Sequence, residues 1–299
     1  MTLPSLSRIV TTAGLALATV LAPLAVTHAQ LTKPFLWELT KGDRKITLLG
    51  SLHVGKADFF PLPEAVLSRF DAAKALAVEA DVTLPETQAA CAKLAATDDK
   101  LVDLLPADDF ATLQNYLRAA NLPASAVEGR KLWLVNLVLV STELAQLGVD
   151  FSRGLDVVFL REAKQAKKRI SEVEGGARQC AALAGASKAE SAAALSRFLA
   201  TVRENKMEKR LDELVDAYRA GDGRKINDVV QEEFGTTAEG IASRKRVFDD
   251  RHPAMAEAID GYFKQPESYF VVIGVGHMFG DNNLLDALAK RGIRARRID

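Results

Sequence analysis

Residues 268–277 read SYFVVIGVGH: an apolar run with the composition of a buried β-strand, then Gly274, two further residues and His277. Residues 45–53, KITLLGSLH, repeat this layout and end in His53. The chain has four histidines, and two of them stand at the end of such a strand-like run. The shared layout predicts two strands of one sheet whose ends carry a common site.

Glycines precede both of these histidines. Gly50 stands three residues before the first and Gly274 three residues before the second, with Gly276 directly in front of it. A residue without a Cβ lets the chain turn sharply off a strand, or approach a ligand closely, without a steric clash. We therefore expect these glycines to shape the two strand ends around the site.

Further short β-type runs alternate with helical stretches along the chain. FLWELT and KITLLG are joined by the polar link KGDRK, which predicts a β-hairpin. The alternation predicts an α/β fold: a mixed central sheet, at least partly parallel, flanked by helices and carrying a helical insertion. The expected strands cover residues 35–40, 45–50, 75–80, 169–174, 268–277 and 292–299.

One helical stretch is apolar enough to suggest a membrane span. Residues 131–148, KLWLVNLVLVSTELAQLG, are interrupted by Asn136 and by the polar Ser-Thr-Glu at 141–143, so the continuous apolar run is too short to cross a bilayer. We predict a buried core helix here and no transmembrane segment in the mature chain. Residues 181–220 have an amphipathic pattern that predicts a helix ending at a glycine.

Histidine or glutamate stands at the carboxyl end of each interior strand: His53, Glu79, Glu174 and His277. In α/β sheets, ligand-binding and catalytic groups gather outside the carboxyl ends of the strands. These residue types bind divalent cations, or act as acid, base and positioning groups. Each residue alone is more often structural, but four at equivalent positions predict one shared site.

The two histidines and two glutamates suggest a division of roles. His53 and His277 are predicted metal ligands, and Glu79 or Glu174 completes the coordination shell while the other acts as general base on a water molecule. A mixed nitrogen and oxygen shell suits Zn, Mn, Co or Fe. The sequence does not choose among these ions.

The first 29 residues have the layout of a secretory signal peptide. Arg8 is followed by an apolar run and by small residues at the cleavage-type positions up to Ala29. A retained membrane anchor is the alternative, but Pro23 interrupts the apolar run. We expect bacterial export with cleavage after Ala29, which leaves residues 30–299 as one α/β domain in the periplasm or outside the cell.

Charge and cysteine content narrow the range of partners. The chain has 39 basic and 39 acidic side chains, so nothing draws it electrostatically to nucleic acid or anionic lipid. Its two cysteines, Cys91 and Cys180, permit one disulfide in an oxidising compartment, or remain two separate buried thiols. The sequence gives no indication of the oligomeric state.

Several segments resemble the TraB/GumN family, which includes PrgY and Tiki-like proteins. They are LLGSLHVGKADFFPLP, LAVEAD, GLDVVFLREAKQAKKRISEVEGGARQ and VVIGVGHMFG, which together hold two G-x-x-H motifs with a glutamate strand end between them. The resemblance runs from about Leu36 to the C-terminus. The four strand-end residues match the family's polar positions, and residues 154–156 match its G-[VL]-D segment.

The resemblance implies an erythromycin-esterase/ChaN-like fold and a metal-dependent hydrolase, peptidase-like in the Tiki branch. The substrate would be a peptide or another exported small compound. In the last helical stretch this chain has Arg251-His252, where family members often have Arg-Asn. Arg251 is expected to pair with an anionic substrate group or a site carboxylate, or to be a surface residue.

Two other functions remain open at the level of the sequence. GumN-like and PrgY-like relatives are associated with polysaccharide clusters and peptide-signal control, which implies a non-enzymatic peptide- or saccharide-binding accessory protein. The likeness to ChaN permits a haem or iron binder. Turnover that disappears in a His53→Ala variant would favour the enzyme, and an absorbance titration with haemin would reveal the haem binder.

Overall fold

The described part of the chain forms a six-stranded sheet. The computed structural model describes residue 31, residues 33–149 and residues 151–298, so the expected signal peptide lies outside the described residues. The strands are β1 (Leu36–Lys41), β2 (Arg44–Ser51), β3 (Ala75–Val78), β4 (Arg169–Glu172), β5 (Tyr269–Gly274) and β6 (Arg294–Arg297).

The sheet is mixed, in the order β4-β3-β5-β2-β1-β6. Strands β4, β3, β5 and β2 pair in parallel, whereas β1 pairs antiparallel with both β2 and β6. All six residues of β5 are buried, as expected for a central strand of a parallel sheet covered by helices. The predicted hairpin is β1–β2, with Gly42 at a φ of 56° in its turn. The predicted α/β class with a mixed sheet is confirmed.

Helices fill the connections between the strands. The helix α1 (Glu64–Ala72) leads from β2 to β3. The connection from β3 to β4 holds α2 (Pro85–Ala95), α3 (Leu101–Leu104), α4 (Ala107–Ala119), α5 (Leu132–Gln146) and α6 (Leu155–Gln165). The connection from β4 to β5 holds α7 (Gly176–Ala184), α8 (Lys188–Arg203), α9 (Met207–Ala220), α10 (Gly223–Phe234), α11 (Ala238–Arg244) and α12 (His252–Tyr262). The helix α13 (Leu284–Ala289) leads into β6.

The single helix predicted over residues 181–220 is wrong, because the chain breaks twice within it. The first break lies between α7 and α8, where Ser187 and Glu190 form a capping box that starts a new helix. The second lies between α8 and α9, where Asn205 has a φ of 54°, a left-handed conformation that ends a helix. The predicted end at a glycine is confirmed, since Gly221 caps α9 at a φ of 65°.

Buried apolar side chains form two clusters in the described residues. The larger surrounds the sheet, and the second joins α4, α5 and α8 through residues such as Leu113, Leu139 and Leu195, which are almost fully buried. The predicted core helix over residues 131–148 contains α5, and its buried side chains pack into the second cluster. Within the described part of the chain, no helix combines the length and apolar character needed to cross a bilayer.

Cys91 and Cys180 form a disulfide between α2 and α7, with their Cα atoms 5.3 Å apart. The two helices approach closely elsewhere as well: a Cβ on Gly176 would lie 2.1 Å from a methyl carbon of Thr87. Because α7 begins two residues after Glu174, this covalent link anchors a segment next to the strand ends. Of the two alternatives that the sequence left open, the structure shows the paired cysteines.

Candidate functional site

The carboxyl ends of β2, β3 and β5 lie side by side at one edge of the sheet. In the parallel pairing of β2 with β5, Ser51 stands opposite Gly274. His53 follows β2 by two residues, Glu79 follows β3 directly, and His277 lies in a short 3₁₀ turn after β5. Because the carboxyl ends of parallel strands lie at the same edge of a sheet, these three side chains reach one cleft.

Glu79 stands between the two histidines. Its Oε1 lies 3.8 Å from His53 Nε2, and its Oε2 lies 3.7 Å from His277 Nε2. The backbone N–H of Gly274 donates to Oε1 at 2.7 Å. A Cβ on Gly274 would lie 2.9 Å from His53 Nε2 and 3.2 Å from Glu79 Oε1, so a side chain here would fill the space where these groups meet. This crowding explains why the strand ends in glycine.

Arg251 lies beneath this group and is only 8% exposed. Its Nη2 donates to Glu79 Oε2 at 2.8 Å, and its Nη1 lies 3.4 Å from His277 Nε2. Nη1 also donates to the carbonyl oxygen of Val247, within a π-helical turn at Lys245–Asp249. The structure shows the expected pairing of Arg251 with a site carboxylate. The alternative, that Arg251 is a surface residue, is wrong.

Glu174 is held entirely by Arg251. Arg251 Nε donates to both carboxylate oxygens of Glu174, at 3.1 and 2.9 Å, and Nη2 donates to Oε2 as well. The Glu174 side chain has no exposed surface. Both carboxylate oxygens of Glu174 therefore accept from Arg251. The guanidinium bridges Glu174 and Glu79, which follow neighbouring strands.

His277 is fixed from behind by His252. His252 Nδ1 lies 2.6 Å from the carbonyl oxygen of Asn282, which can only accept, so this nitrogen carries a proton. His252 Nε2 lies 2.9 Å from His277 Nδ1. In the neutral form His252 Nε2 is then an acceptor, and His277 Nδ1 donates to it. This order of donors leaves the lone pair of His277 Nε2 to accept from Arg251 Nη1, 3.4 Å away.

Asp156 plays the matching part for His53. Its Oδ1 lies 3.2 Å from His53 Nδ1, so this nitrogen donates and Nε2 is left to face Glu79. Asp156 lies in the first turn of α6, directly after Gly154, where a Cβ would be 2.2 Å from the carbonyl oxygen of His53. The close approach of these two chain segments brings the carboxylate to the imidazole.

Burial and charge set the protonation of the three central groups. Burial alone would raise the pKa of Glu79, but the surrounding imidazoles, Arg251 and a backbone N–H lower it to about 2. Burial, together with the charge of Arg251, lowers the pKa of His277 to about 3 despite the nearby carboxylate. Burial also opposes protonation of His53, yet Asp156 outweighs it and raises the pKa to about 9. Burial is the largest single effect on this pKa, although 47% of the His53 side chain is exposed, and the contact with Asp156 together with the charge of Glu79 sets the direction.

A cavity of about 330 Å³ opens over these residues. His53, Glu79, Arg251 and His277 contribute its polar lining, and the amide of Gln179 donates to Glu79 Oε2 at 3.2 Å. The remaining walls are mainly apolar, formed by side chains that include Leu183, Leu214, Val230, Val247 and Phe248. An apolar cleft with a few convergent polar groups is the usual form of a ligand or substrate site.

The site contains donor types that divalent ions use, namely two imidazoles and a carboxylate. Donors bound to one ion at about 2.0–2.2 Å lie within about 4.4 Å of each other. Glu79 meets this limit toward both imidazoles, at 3.8 and 3.7 Å. Both imidazoles also have a second partner at the far nitrogen, an arrangement that metal-binding histidines share. Among the described residues, however, no group of three or more His, Cys, Asp or Glu side chains is placed so that it could hold a metal ion, and Arg251 lies against Glu79 Oε2.

The structure brings all four predicted strand-end residues into one cluster, together with Arg251. Sequence reasoning missed His252, Asp156 and Gln179 as members of the site. For Asp156 a signal existed, since it ends the G-[VL]-D segment. For His252 a signal existed as well, since it follows Arg251 where family members often have asparagine. Gln179 offered none, because its contact with Glu79 joins segments that are distant in sequence.

Paired histidines, a buried carboxylate and an arginine at the ends of parallel strands define an α/β protein with a polar strand-end site. The family model described as the TraB/PrgY/gumN family matches residues 35–297. The chain therefore belongs to the TraB/PrgY/gumN family, and the resemblance drawn from its motifs is confirmed.

Curated relatives include bacterial and animal proteins. The chain is 34% identical to the uncharacterized protein YbaP of Escherichia coli K12 over 142 residues, which are 48% of this chain and 53% of YbaP. It is 25% identical to Metalloprotease TIKI1 of Xenopus tropicalis, over 86% of this chain and 60% of that protein. Metalloprotease TIKI1 of Homo sapiens is 23% identical with the same coverage. The chain thus spans less than two thirds of the length of each of these relatives. No solved structure gives a significant match, so the erythromycin-esterase/ChaN-like fold stays a prediction.

Proposed function

We propose that the protein is an exported, metal-dependent hydrolase that acts on peptides. The observation that carries the proposal is the position of Glu79, whose two oxygens each face one imidazole nitrogen, at 3.8 and 3.7 Å, beside an open cavity. The distant relatives named Metalloprotease TIKI1 support hydrolysis. The layout of the first 29 residues supports export.

Three residues would hold the ion: His53 and His277 through Nε2, and Glu79 through its carboxylate. Asp156 and His252 bind the far nitrogen of each imidazole, which orients the ring and, for His277, leaves Nε2 without a proton. His53, whose pKa is raised to about 9, must lose its Nε2 proton to bind an ion. Such outer partners also raise the basicity of a ligand imidazole. Two imidazoles and one carboxylate suit Zn, Mn, Co or Fe.

Glu174 has a supporting role in this proposal. The sequence left open which glutamate completes the ligand set, and the contacts favour Glu79 because Arg251 occupies both oxygens of Glu174. A pKa of about 2 makes Glu79 a poor proton acceptor at neutral pH but keeps it ionised, as a ligand must be. Glu174 fixes Arg251, which in turn fixes Glu79.

The chemistry that a bound divalent ion supplies is polarisation of the scissile carbonyl and a lowered pKa of the attacking water. The chain supplies position and charge. Arg251 places a permanent positive charge next to the site, where it stabilises negative charge that develops on a substrate oxygen. The apolar walls around Val247 and Phe248 limit bulk water, which strengthens these interactions.

The test combines metal content with turnover. Purified wild type, His53→Ala, His277→Ala and Glu79→Gln are analysed for bound metals, and each is incubated with a peptide mixture whose products are read by mass spectrometry. Glu257→Gln is the matched control, because that carboxylate is 75% exposed. We expect the wild type and the control to retain metal and cleave peptides, and the three site variants to lose both.

Other outcomes would contradict the proposal. A wild type that carries no metal and cleaves no peptide when supplied with Zn, Mn, Co or Fe is not a metal-dependent peptidase. Peptide or saccharide binding without turnover would then favour the accessory protein. A new absorbance band on titration with haemin that disappears in His53→Ala would favour the haem binder.

A further inference from the structure

A second cavity, of about 260 Å³, lies next to the candidate site. It is bounded by α5, α8, α9 and α10 and by Val54, the residue that directly follows His53. Leu214 and Val230 line both cavities, so the two cavities share a wall. We call this second cavity the apolar chamber.

The lining of the apolar chamber matches a large apolar group in character and size. Val140 and Leu144 of α5, Phe198 of α8, and Met207 and Leu211 of α9 form most of its surface. An aliphatic cavity of about 150 Å³ is already large enough to bind benzene. The apolar chamber therefore has room for a leucine or phenylalanine side chain.

Charge at the apolar chamber is positive on balance. Arg197 and Arg210 both line it and are half-buried, whereas Glu233 is the acidic member of the lining. Arg197 is turned toward α10, where its Nε donates to the carbonyl oxygen of Glu233 at 3.2 Å. Two guanidinium groups beside an apolar surface favour a ligand that carries a carboxylate next to its apolar part.

We propose that the apolar chamber binds a large apolar side chain of a peptide substrate, with an adjacent carboxylate drawn to Arg197 and Arg210. The residue bound there would lie beside the bond that faces His53, because Val54 continues the chain from that histidine into the chamber wall. This assignment rests on the proposed function, and it names the substrate class: peptides with a large apolar residue next to the cleaved bond.

Cleavage of matched peptides tests the assignment. Two peptides that differ only in one residue, leucine or alanine, are compared in wild type and in Val140→Phe, which fills part of the apolar chamber. Leu137→Phe is the control on the same helix, since Leu137 is 39% exposed and lies outside the chamber. The wild type should prefer the leucine peptide by about tenfold or more in kcat/KM, as a well-fitted apolar pocket does. Val140→Phe should lose this preference, and Leu137→Phe should keep it.

Binding without cleavage separates this assignment from the proposed function. Calorimetry with N-acetyl-leucine, N-acetyl-leucine amide and N-acetyl-alanine is carried out on wild type, Val140→Phe and Val229→Phe, the last filling the chamber from α10. N-acetyl-leucine should bind most tightly to wild type and lose most of its affinity in either folded variant, even if no peptide is cleaved. Equal affinity for leucine and alanine ligands would overturn the assignment. So would a fatty acid that binds more tightly than N-acetyl-leucine and is lost in the same variants.

Discussion

His252 Nε2 lies 2.9 Å from His277 Nδ1, and both rings are buried. The far side of His252 is bound to the carbonyl oxygen of Asn282. A carbonyl accepts and does not donate, so the chain of contacts runs in one direction and ends at the lone pair of His277 Nε2, which faces Arg251 Nη1 at 3.4 Å. His252 thus supports His277, by fixing its tautomer and the plane of its ring.

The first prediction concerns His252→Ala. Loss of the outer partner should lower metal affinity about 10- to 100-fold, because the orientation and tautomer of His277 are no longer fixed. His252→Asn should lose less, since its side-chain oxygen can still accept from His277 Nδ1. Affinity is measured by competition with a metal-binding dye, and circular dichroism checks that each variant is folded. Equal affinity in wild type and His252→Ala would show that His277 needs no outer partner.

A second prediction separates the two buried glutamates. Glu79→Gln should lose at least about 100-fold in turnover but remain folded, because Arg251 keeps its contacts with both oxygens of Glu174. Glu174→Gln should be the less stable variant, by about 3 kcal/mol relative to wild type, because it removes the main partner of a buried arginine. Urea unfolding and peptide turnover are measured on both. If Glu79→Gln unfolds more readily than Glu174→Gln, Glu79 is mainly a structural partner of Arg251.

A third prediction concerns acid stability and Glu190. Its carboxylate accepts from Arg246, within the π-helical turn that leads to Arg251, and from the backbone of Ser187. Burial opposes ionisation, but these contacts lower the pKa of Glu190 below its ordinary value of 4.5. The contribution to stability is therefore complete above that pH and is lost as the pH falls through the lowered pKa.

Glu190→Gln should accordingly unfold about 1–2 kcal/mol more easily than wild type at neutral pH. The difference should shrink as the pH falls below 4.5 and through the lowered pKa of Glu190, where the wild-type carboxylate also becomes protonated. Urea unfolding at several pH values measures it. Glu257→Gln is the exposed control and should stay within about 0.5 kcal/mol of wild type at every pH. A difference in the free energy of unfolding between wild type and Glu190→Gln that does not depend on pH would rule out the charge of Glu190 as its cause.

The strands were the most predictable part of this fold. The apolar run that became β5 is buried at every position, and glycine follows it where a Cβ would collide with His53. Such patterns are local and can be seen in a few residues of sequence. The break at Asn205 could not be seen in this way, since an asparagine within an amphipathic pattern also occurs inside helices. The helices on either side of this break pack against different neighbours, α8 against α5 and α9 against α10.

The site was predictable where each residue follows a strand and unpredictable where helices complete it. His53, Glu79 and His277 each follow an apolar, strand-like run that can be recognised in the sequence. Arg251 reaches Glu79 across 172 positions, from the start of α12, and nothing in the pattern of that helix reveals its buried guanidinium. Long-range contacts of this kind depend on how the helices of the β4–β5 connection fold back over the sheet.

A fourth prediction concerns export. The charged, apolar and small-residue layout of residues 1–29 should direct secretion, with cleavage after Ala29. Intact-mass analysis of protein recovered from the periplasm or the medium measures the N-terminus. Replacement of Ala29 by a large charged residue should leave the precursor uncleaved, because the cleavage position requires a small side chain. Recovery of a wild-type chain that still carries residues 1–29 would contradict the assignment.

The last prediction is that His53 and His277 act as one unit. They face opposite oxygens of a single carboxylate, at 3.8 and 3.7 Å, although 224 positions separate them in sequence. If both hold the same ion through Glu79, either alanine variant loses a ligand from the same set. Each single variant should then lose metal affinity by at least about 100-fold, and the double variant should lose little more than either.

Titration of chelator-treated protein with Zn and with Mn gives the three affinities, and the coupling between the two substitutions follows from the double-mutant cycle. A shared ion predicts strong coupling, because the second substitution removes a ligand from a set that is already broken. Two independent ions predict losses that add on the free-energy scale, with one equivalent of metal retained in each single variant. Additive losses would therefore refute the shared site. Strong coupling with Glu257→Gln unchanged would locate the ion between His53 and His277, at the carboxylate of Glu79.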